Sequence, residues 1–551
     1  MTTTATVLPL TGTSVRAVGD TVPVRVAASR LRALGCVVDD RIERDGGAPP
    51  ASAGRIDLLT RAGDRPAGCD ISWSDSGPPL TGERDVQAAC GLAYLHGRPR
   101  GGPRFLPVDY ASVCAGVLAA QAVTGAVLVL ERGGPALRAS VSVAGAALLT
   151  VAPYAAEATA SLETLPDPGT GPPPPFRSAD GIRFEVETLD PEAWLVFWEA
   201  LGAPREAIAA GWPPFRRRFA TAVCPLPETL STVLGSLPFS AVRETAQECG
   251  VGVVPLRPLS EAADEGPASP WRLRPTGTAS APPLPPWTAN GAGPLSGLRL
   301  VEATNRVQGP LAGLLLTLMG ADTVRVEPPG GDPMRGVPPL AGGLSARFTA
   351  LNRDKRAAEH DLRTGEGRRA AAELAAAGHV LLYNWPPGRA ERFGLGVGDL
   401  DTHAPGLVHV HADGWAGEEP EPAAPATDFL VQAHGGIADL LSDGTAPPAP
   451  SLVTLTDVLG GLLATEAALA GLLLRSRTGR GAAAHTALVD AARLLRTTGR
   501  GSAHRDREGT PPATDPVAAA AAFPESFTAS HGTVLPRAPW TFTPVDEGGG
   551  T

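Results

Sequence analysis

Two aspartates stand just before long apolar runs. Asp457 precedes Leu459 to Leu474, and Asp109 precedes an alanine- and leucine-rich segment that closes at Arg132-Gly133-Gly134. A carboxylate so placed has two uses. It can cap the helix by accepting from the first N–H groups. It can also attack an acyl carbonyl, with backbone donors and the helix dipole holding the developing oxyanion. Spacing alone leaves both readings open, and Asp109 stands nearly as far before Gly134 as Asp457 does before Gly481. The cluster Arg353-Asp354-Lys355-Arg356, with Arg392 downstream, suits an anionic ligand or a solvated loop. Gln308 and Asn384 can line the same site or serve as ordinary loop residues.

The chain has 551 residues, with 47 Lys plus Arg against 57 Asp plus Glu and a formal net charge of -10. That length accommodates two or three cores, and that balance lacks the basic footprint of a nucleic-acid or anionic-membrane binder. The six cysteines form no CxxC pair and no cysteine–histidine cluster with metal spacing, so no metal site is expected and the thiols read as buried hydrophobes. With no signal-peptide pattern at Met1 to Leu10, a reducing, cytoplasmic setting is expected. The run Leu459 to Leu474 reads as too short to span a bilayer. Gly330-Gly331-Asp332-Pro333 lacks the Lys-Ser/Thr ending of a phosphate-binding Walker loop.

Elements that would position these residues recur. Leu298 to Val301, Leu311 to Met319, Gly320 and Thr323 to Glu327 read as strand, helix, glycine cap and strand. Residues 12 to 40 repeat that order, with a helical pattern from Val26 to Leu34. A longer repeat sets Asp70-Ile71-Ser72, Asp85, Gln87-Ala88, Gly91 and Asp109 beside Val408 to Val410, Asp428, Gln432-Ala433, Gly435 and Asp457. The expected fold is α/β, with mostly parallel Rossmann-like sheets in an internally duplicated chain. The expected divisions are an α/β domain over 1–160, a small α+β domain over 171–256 and a Pro/Gly/Ala/Ser-rich linker over 257–294. A second α/β domain follows over 295–500, then a tail over 501–551 that returns to a sheet.

The second half resembles the class III (CaiB/BaiF-type) CoA transferases. The resemblance rests on Gly309-Pro310-Leu311-Ala312-Gly313, Met319-Gly320-Ala321-Asp322, Val326-Glu327-Pro328-Pro329-Gly330-Gly331-Asp332-Pro333, Asn352-Arg353-Asp354-Lys355-Arg356, Asn384-Trp385-Pro386-Pro387-Gly388, Glu391-Arg392-Phe393-Gly394 and Thr478-Gly479-Arg480-Gly481. It implies acyl-CoA:carboxylate CoA transfer through an aspartyl intermediate at Asp457, with CoA as a substrate rather than a resident cofactor. It also implies that Arg353, Lys355, Arg356 and Arg392 meet CoA phosphates and that Gln308 and Asn384 line the site. The family's interlocked dimers imply an intramolecular pseudo-dimer here, with further homodimerisation compatible.

Racemases of the same family carry a His-Asp pair where this chain has Thr427-Asp428, and threonine is far too weak a base for that step. His434 is read as a core or surface histidine. The first half lacks the Asn-Arg-x-Lys-Arg and Asn-x-x-Pro-Gly segments, so it reads as scaffold, with Asp109 structural. The rival readings are a repurposed acyl-CoA-dependent hydrolase, lyase or cyclase, and a non-catalytic binding protein. Two departures from the family motivate them: the second half lacks a small domain of its own, and no convincing glycine-rich active-site loop follows Leu494.

Overall fold

The computed structural model describes residues 8–39, 51–59, 67–160, 171–262, 272–277, 280–288, 293–420, 423–442, 444, 446–498 and 512–545. The second-half sheet has seven strands in the order Arg356–Glu359, Asp322–Glu327, Arg299–Ala303, Val380–Tyr383, Val408–Asp413, Ala482–Ala487 and Arg272–Pro275. Every pairing is parallel except the last. Parallel strands need crossovers long enough for a helix: Gln308–Leu318 joins the neighbours Arg299–Ala303 and Asp322–Glu327, and Gly365–Ala376 carries the chain from the edge strand Arg356–Glu359 to Val380–Tyr383.

The first-half sheet runs Val37–Asp39, Ser14–Val18, Ser52–Leu59, Ala67–Ser72, Leu137–Ser142 and Trp540–Pro544. It is less parallel than the repeat predicts. Ser52–Leu59 lies antiparallel to both neighbours, where the second half has the parallel strand Val380–Tyr383. The intervals from Asp39 to Ser52 and from Leu59 to Ala67 are too short to provide the crossover helices that a parallel strand there would need on both sides.

The two sheets exchange their last strands. Arg272–Pro275 follows the small domain and closes the second-half sheet, whereas Trp540–Pro544, near the chain's end, closes the first-half sheet. The 257–294 stretch thus holds a strand and the short helix Leu259–Ala262. Its later part is pinned by Trp287 N donating to Arg132 O (2.9 Å) and by Arg132 donating to the carbonyls of Pro285 (2.8 Å) and Pro294 (3.0 Å). Most of the 499–516 segment lies outside the described residues.

At the centre, helices Tyr110–Glu131 and Leu455–Thr478 pack against each other. Together with Val143–Ala160 they are long and apolar enough to cross a membrane by length and composition, so the second-half run is longer than its apolar core suggests. Their residues are instead packed inside the protein. Gly461 lets helix Gln308–Leu318 approach closely, since a Cβ there would lie 2.8 Å from the Gln308 carbonyl oxygen.

Polar contacts fix the register between the halves. Tyr110 Oη donates to Leu455 O across 3.0 Å, Gln121 Nε2 donates to Leu462 O across 2.7 Å, and buried Arg30 pairs with buried Glu466 at 3.0 Å. Removing one partner strands a buried charge. Arg30→Met should therefore lower the unfolding free energy by about 3–5 kcal/mol, and Arg30→Met with Glu466→Met should recover most of it. Denaturant melts of the two variants provide the check.

Candidate active site

Helix Leu455–Thr478 presents N–H groups that need acceptors. Asp428, at the first position of helix Asp428–His434, supplies one: its Oδ1 accepts from Thr456 N (2.7 Å), Thr456 Oγ1 (2.6 Å) and Asp457 N (2.9 Å). Gln432, one turn on, donates to Asp428 Oδ2 and to Ser451 O and accepts from Ser451 N. Capping is therefore done by a neighbouring element. The residue at the N-cap position is Thr454, and Asp457 sits inside the first turn with its carboxyl free of that task.

The first half repeats this device with different residues. Glu83 accepts from Ala111 N (3.0 Å), Ser112 N (2.8 Å) and Ser112 Oγ (2.7 Å), while Gln87 donates to Glu83 and accepts from Leu106 N. Tyr110 and Leu455, the first residues of the two long helices, are 345 apart in sequence. The same offset pairs Glu83 with Asp428, Gln87 with Gln432, Gly91 with Gly436, and Leu137 with Ala482. It also pairs Ser112 with Asp457 and Asp109 with Thr454. The alignment of Asp85 with Asp428, of Gly91 with Gly435 and of Asp109 with Asp457 is thus corrected: Asp109 is an N-cap residue, and a serine stands where the second half has its acid.

Asp457 is half-buried. Burial, and then the charge of Asp428, push its carboxyl well above the ordinary carboxylate range, while Arg306 and Arg347 pull the other way. Asp428 is raised too, by burial, against the hydrogen bonds it accepts. The two arginines were not singled out by sequence. Arg306 is exposed in the loop before Gln308, with left-handed backbone (φ 66°). Arg347 is buried, its guanidinium 4.8 Å over the Tyr154 ring and donating to Phe219 O.

The predicted ligand residues do not all converge. Gln308 is buried, donates to Asp413 O (3.1 Å), and would touch a Cβ on Gly460, one turn beyond Asp457. Asn384 exchanges two 3.0 Å hydrogen bonds with the backbone of Asn305. These two asparagines join the carboxyl ends of Val380–Tyr383 and Arg299–Ala303, between which the strand order reverses; such switch points are where open α/β sheets bind ligands. Arg392 is exposed in the short helix beyond Asn384.

Lys355, by contrast, is used internally. Its ammonium meets Glu302 Oε2 (2.8 Å), Pro310 O (2.7 Å) and Asn352 Oδ1 (3.0 Å), which occupies its three donors. Burial pulls it down to about 8 against the opposing pull of Glu302. Arg356 lies at the amino end of its strand, paired with Asp322 at 2.7 and 2.8 Å, away from the switch point. Arg353 is mostly covered and leans toward Asp354 (3.7 Å).

The small domain missing from the second half is supplied by the first. Its strands Arg183–Glu187 and Gly252–Pro255 pack on helix Asp428–His434. The Arg218 guanidinium lies 4.4 Å over Phe429, and Arg257 N donates to Ala433 O (3.0 Å). At the equivalent place on the first half, the described residues provide helix Pro516–Ala522 and the hairpin Phe527–Ser530/Thr533–Pro536, with Thr514 N donating to Ala88 O at the end of the Glu83 helix. Among the described residues no group of three or more metal-ligating side chains occurs, and all six cysteines are free.

The family model for CoA-transferase family III matches residues 83–269 and 295–536. The chain belongs to CoA-transferase family III. The succinyl-CoA:mesaconate CoA-transferase of Haloarcula hispanica is 34% identical over 185 residues, which are 32% of this chain and 47% of that protein. The succinyl-CoA:glutarate CoA-transferase of Mus musculus is 34% identical over 165 residues, 30% of this chain and 38% of that protein. The matched region thus spans about half or less of each relative. A solved structure of Rv3272 from Mycobacterium tuberculosis is similar at 32% identity over 38% of this chain and 59% of that chain, with a TM-score of 0.36.

In this family III chain the site joins an acid of raised proton affinity, a buried capping acid and two guanidinia whose charge opposes that rise. Asp457 binds its proton more tightly folded than unfolded, so its raised affinity costs stability once pH exceeds the unfolded carboxyl value of about 4. Asp457→Asn should therefore melt higher than the parent chain at pH 8, with the gap closing toward pH 4. Thermal melts across that range provide the check; an unchanged or lowered melting point at pH 8 would contradict the raised proton affinity of Asp457.

Proposed function

We propose that the protein transfers CoA between an acyl-CoA and a free carboxylate, with Asp457 as the covalent carrier. The observation that carries this reading is that Asp428 caps the helix, leaving the Asp457 carboxylate unspent, raised in proton affinity and faced by Arg306. Membership of CoA-transferase family III and the carboxylate substrates in the names of its relatives support the reaction class.

An Asp457 oxygen attacks the thioester carbonyl, and the CoA thiolate leaves to give a mixed anhydride. The thiolate then attacks the Asp457 carbonyl carbon, expelling the donor acid and leaving an aspartyl-CoA thioester. The acceptor carboxylate attacks the carbonyl of that thioester, the CoA thiolate leaves, and a second anhydride forms. Thiolate attack at its acyl carbonyl releases the new acyl-CoA and restores Asp457. No water is consumed, so its exclusion by the docked small domain protects all three covalent intermediates. CoA enters and leaves as substrate, its nucleotide end placed along the crevice near Asn384 and Arg392. Arg306 offsets the charge of Asp457 and offers N–H groups to an incoming carboxylate.

Exchange of isotope-labelled carboxylic acid into acyl-CoA tests the reading. Asp457→Asn should lose about 10³-fold or more of the rate, whereas exchange surviving in that variant would sink it. Thioester hydrolysis without exchange would favour the hydrolase reading. The nucleophile must be ionised, so the parent's rate at low substrate should climb with pH through a group above the ordinary carboxylate range. Arg306→Gln removes a neighbouring positive charge and should move that midpoint upward; a midpoint near pH 4 in both proteins would contradict the assignment.

A further inference from the structure

The second-half sheet carries an opening away from Asp457. Val408, Val410 and Ala412 face helix Leu455–Thr478, which buries them. The alternate residues of the same strand, His409 and His411, face the other way and line a groove of about 390 Å³ with Ala483, His485, Tyr383, Val397, Arg272 and Arg274. Arg272 and Arg274 are both exposed and register opposite His485 and Ala483. His409 is only 2% exposed, yet its Nδ1 has no hydrogen-bond partner among the described residues. His411 and His485 stack at 4.9 Å, with Tyr383 on the far side of His411 at 4.8 Å, so their ring edges form the groove floor.

The charges here do not cancel as they do in the other half. His485 takes up Asp413 (Nε2 to Oδ2, 3.2 Å), and Arg272 lies 3.9 Å from Asp490, which is also bound by Arg493 at 3.1 Å. Arg274 makes no ion pair among the described residues. Burial pushes His409 down to about 4 and lowers His411, so the groove's positive charge comes from the arginines.

The duplication provides an internal control. Strand pairing places Arg138 where the second half has Ala483, Asp70 where it has His411, and Thr541 and Thr543 where it has Arg272 and Arg274. In the first half Arg138 spans the face and binds both Asp70 and Asp57, while Ser140 and Thr541 pair with each other. That face fills and neutralises itself. In the second half the spanning arginine is cut back to alanine, the acid is exchanged for histidine, and two arginines are added on the closing strand.

We infer that this groove is a second ligand site, for a small organic anion whose carboxylate is held by Arg274 and Arg272 and whose apolar body lies against Tyr383 and Val397. Its volume falls within the range of small-molecule sites, and a guanidinium fork matches a carboxylate geometrically. The site is independent of the Asp457 chemistry.

Ligand-observed NMR titration of the full chain with benzoate tests it, with benzyl alcohol as the uncharged analogue. Benzoate should bind saturably with one Arg274-dependent site per chain, and benzyl alcohol should not bind there. Arg274→Gln should weaken benzoate about tenfold or more, the loss of one charge-assisted contact. Ala483→Arg should abolish binding by refilling the groove as Arg138 does, and Ala483→Leu, which adds bulk without charge, should do the same. Asp457→Asn should leave benzoate binding intact. Absence of saturable benzoate binding, or its persistence in both Ala483 variants, would overturn the proposal. Displacement of benzoate by an equal concentration of inorganic phosphate would overturn the assignment of an apolar body.

Discussion

The structure turns on how the first N–H groups of one buried helix are satisfied. Helix Leu455–Thr478 runs through the centre of the protein, and an unpaired N–H at its start would be costly. Asp428 meets that need from a separate helix, fixing the distance between the two elements and freeing Asp457 from capping. The consequence is electrostatic. Two carboxyls are held against one helix end; the better hydrogen-bonded one stays charged at lower cost, and the other keeps its proton longer. A carboxylate with raised proton affinity is the more nucleophilic form once ionised, provided that Arg306 and Arg347 hold enough of it in that state.

The same constraint explains why the first half can keep its shape without the acid. Glu83, held by Gln87, caps helix Tyr110–Glu131 just as Asp428, held by Gln432, caps its partner, so Ser112 can occupy the first turn. Strand exchange adds a topological lock, since each sheet is completed by chain that has already passed through the other half. One polypeptide therefore encloses what resembles a dimer interface, with Arg30, Glu466, Gln121 and Tyr110 setting its register. The full small domain stands over the helix that carries Asp428, and the shortened one stands over Glu83. The acid and its cover are retained on the same side.

Much of this was legible in the sequence where local rules govern. The strand–helix–strand order around Gly320 and the return of the 501–551 tail to a sheet follow from periodicity and glycine placement. The alignment of the halves slipped because an aspartate was matched to an aspartate. The four-residue spacing of Glu83–Gln87 and Asp428–Gln432 carried the true register. Family position and charge predict ligand roles for Lys355 and Arg356, but burial against Glu302 and an ion pair with Asp322 are tertiary facts. Arg306 and Arg347 had no local signature; only folding brings their charges near Asp457. The strand at Arg272 was hidden in a proline-rich stretch whose pairing partner lies more than 200 residues away.

The central claim is that one chain holds two halves but one reactive acid. Intact-protein mass spectrometry after mixing with an acyl-CoA, followed by peptide mapping, tests it most directly. A single acyl or CoA adduct is expected per 56.3 kDa chain, carried on Asp457 and absent from Asp457→Asn. An adduct on the peptide containing Asp109 or Ser112, or two adducts per chain, would contradict it.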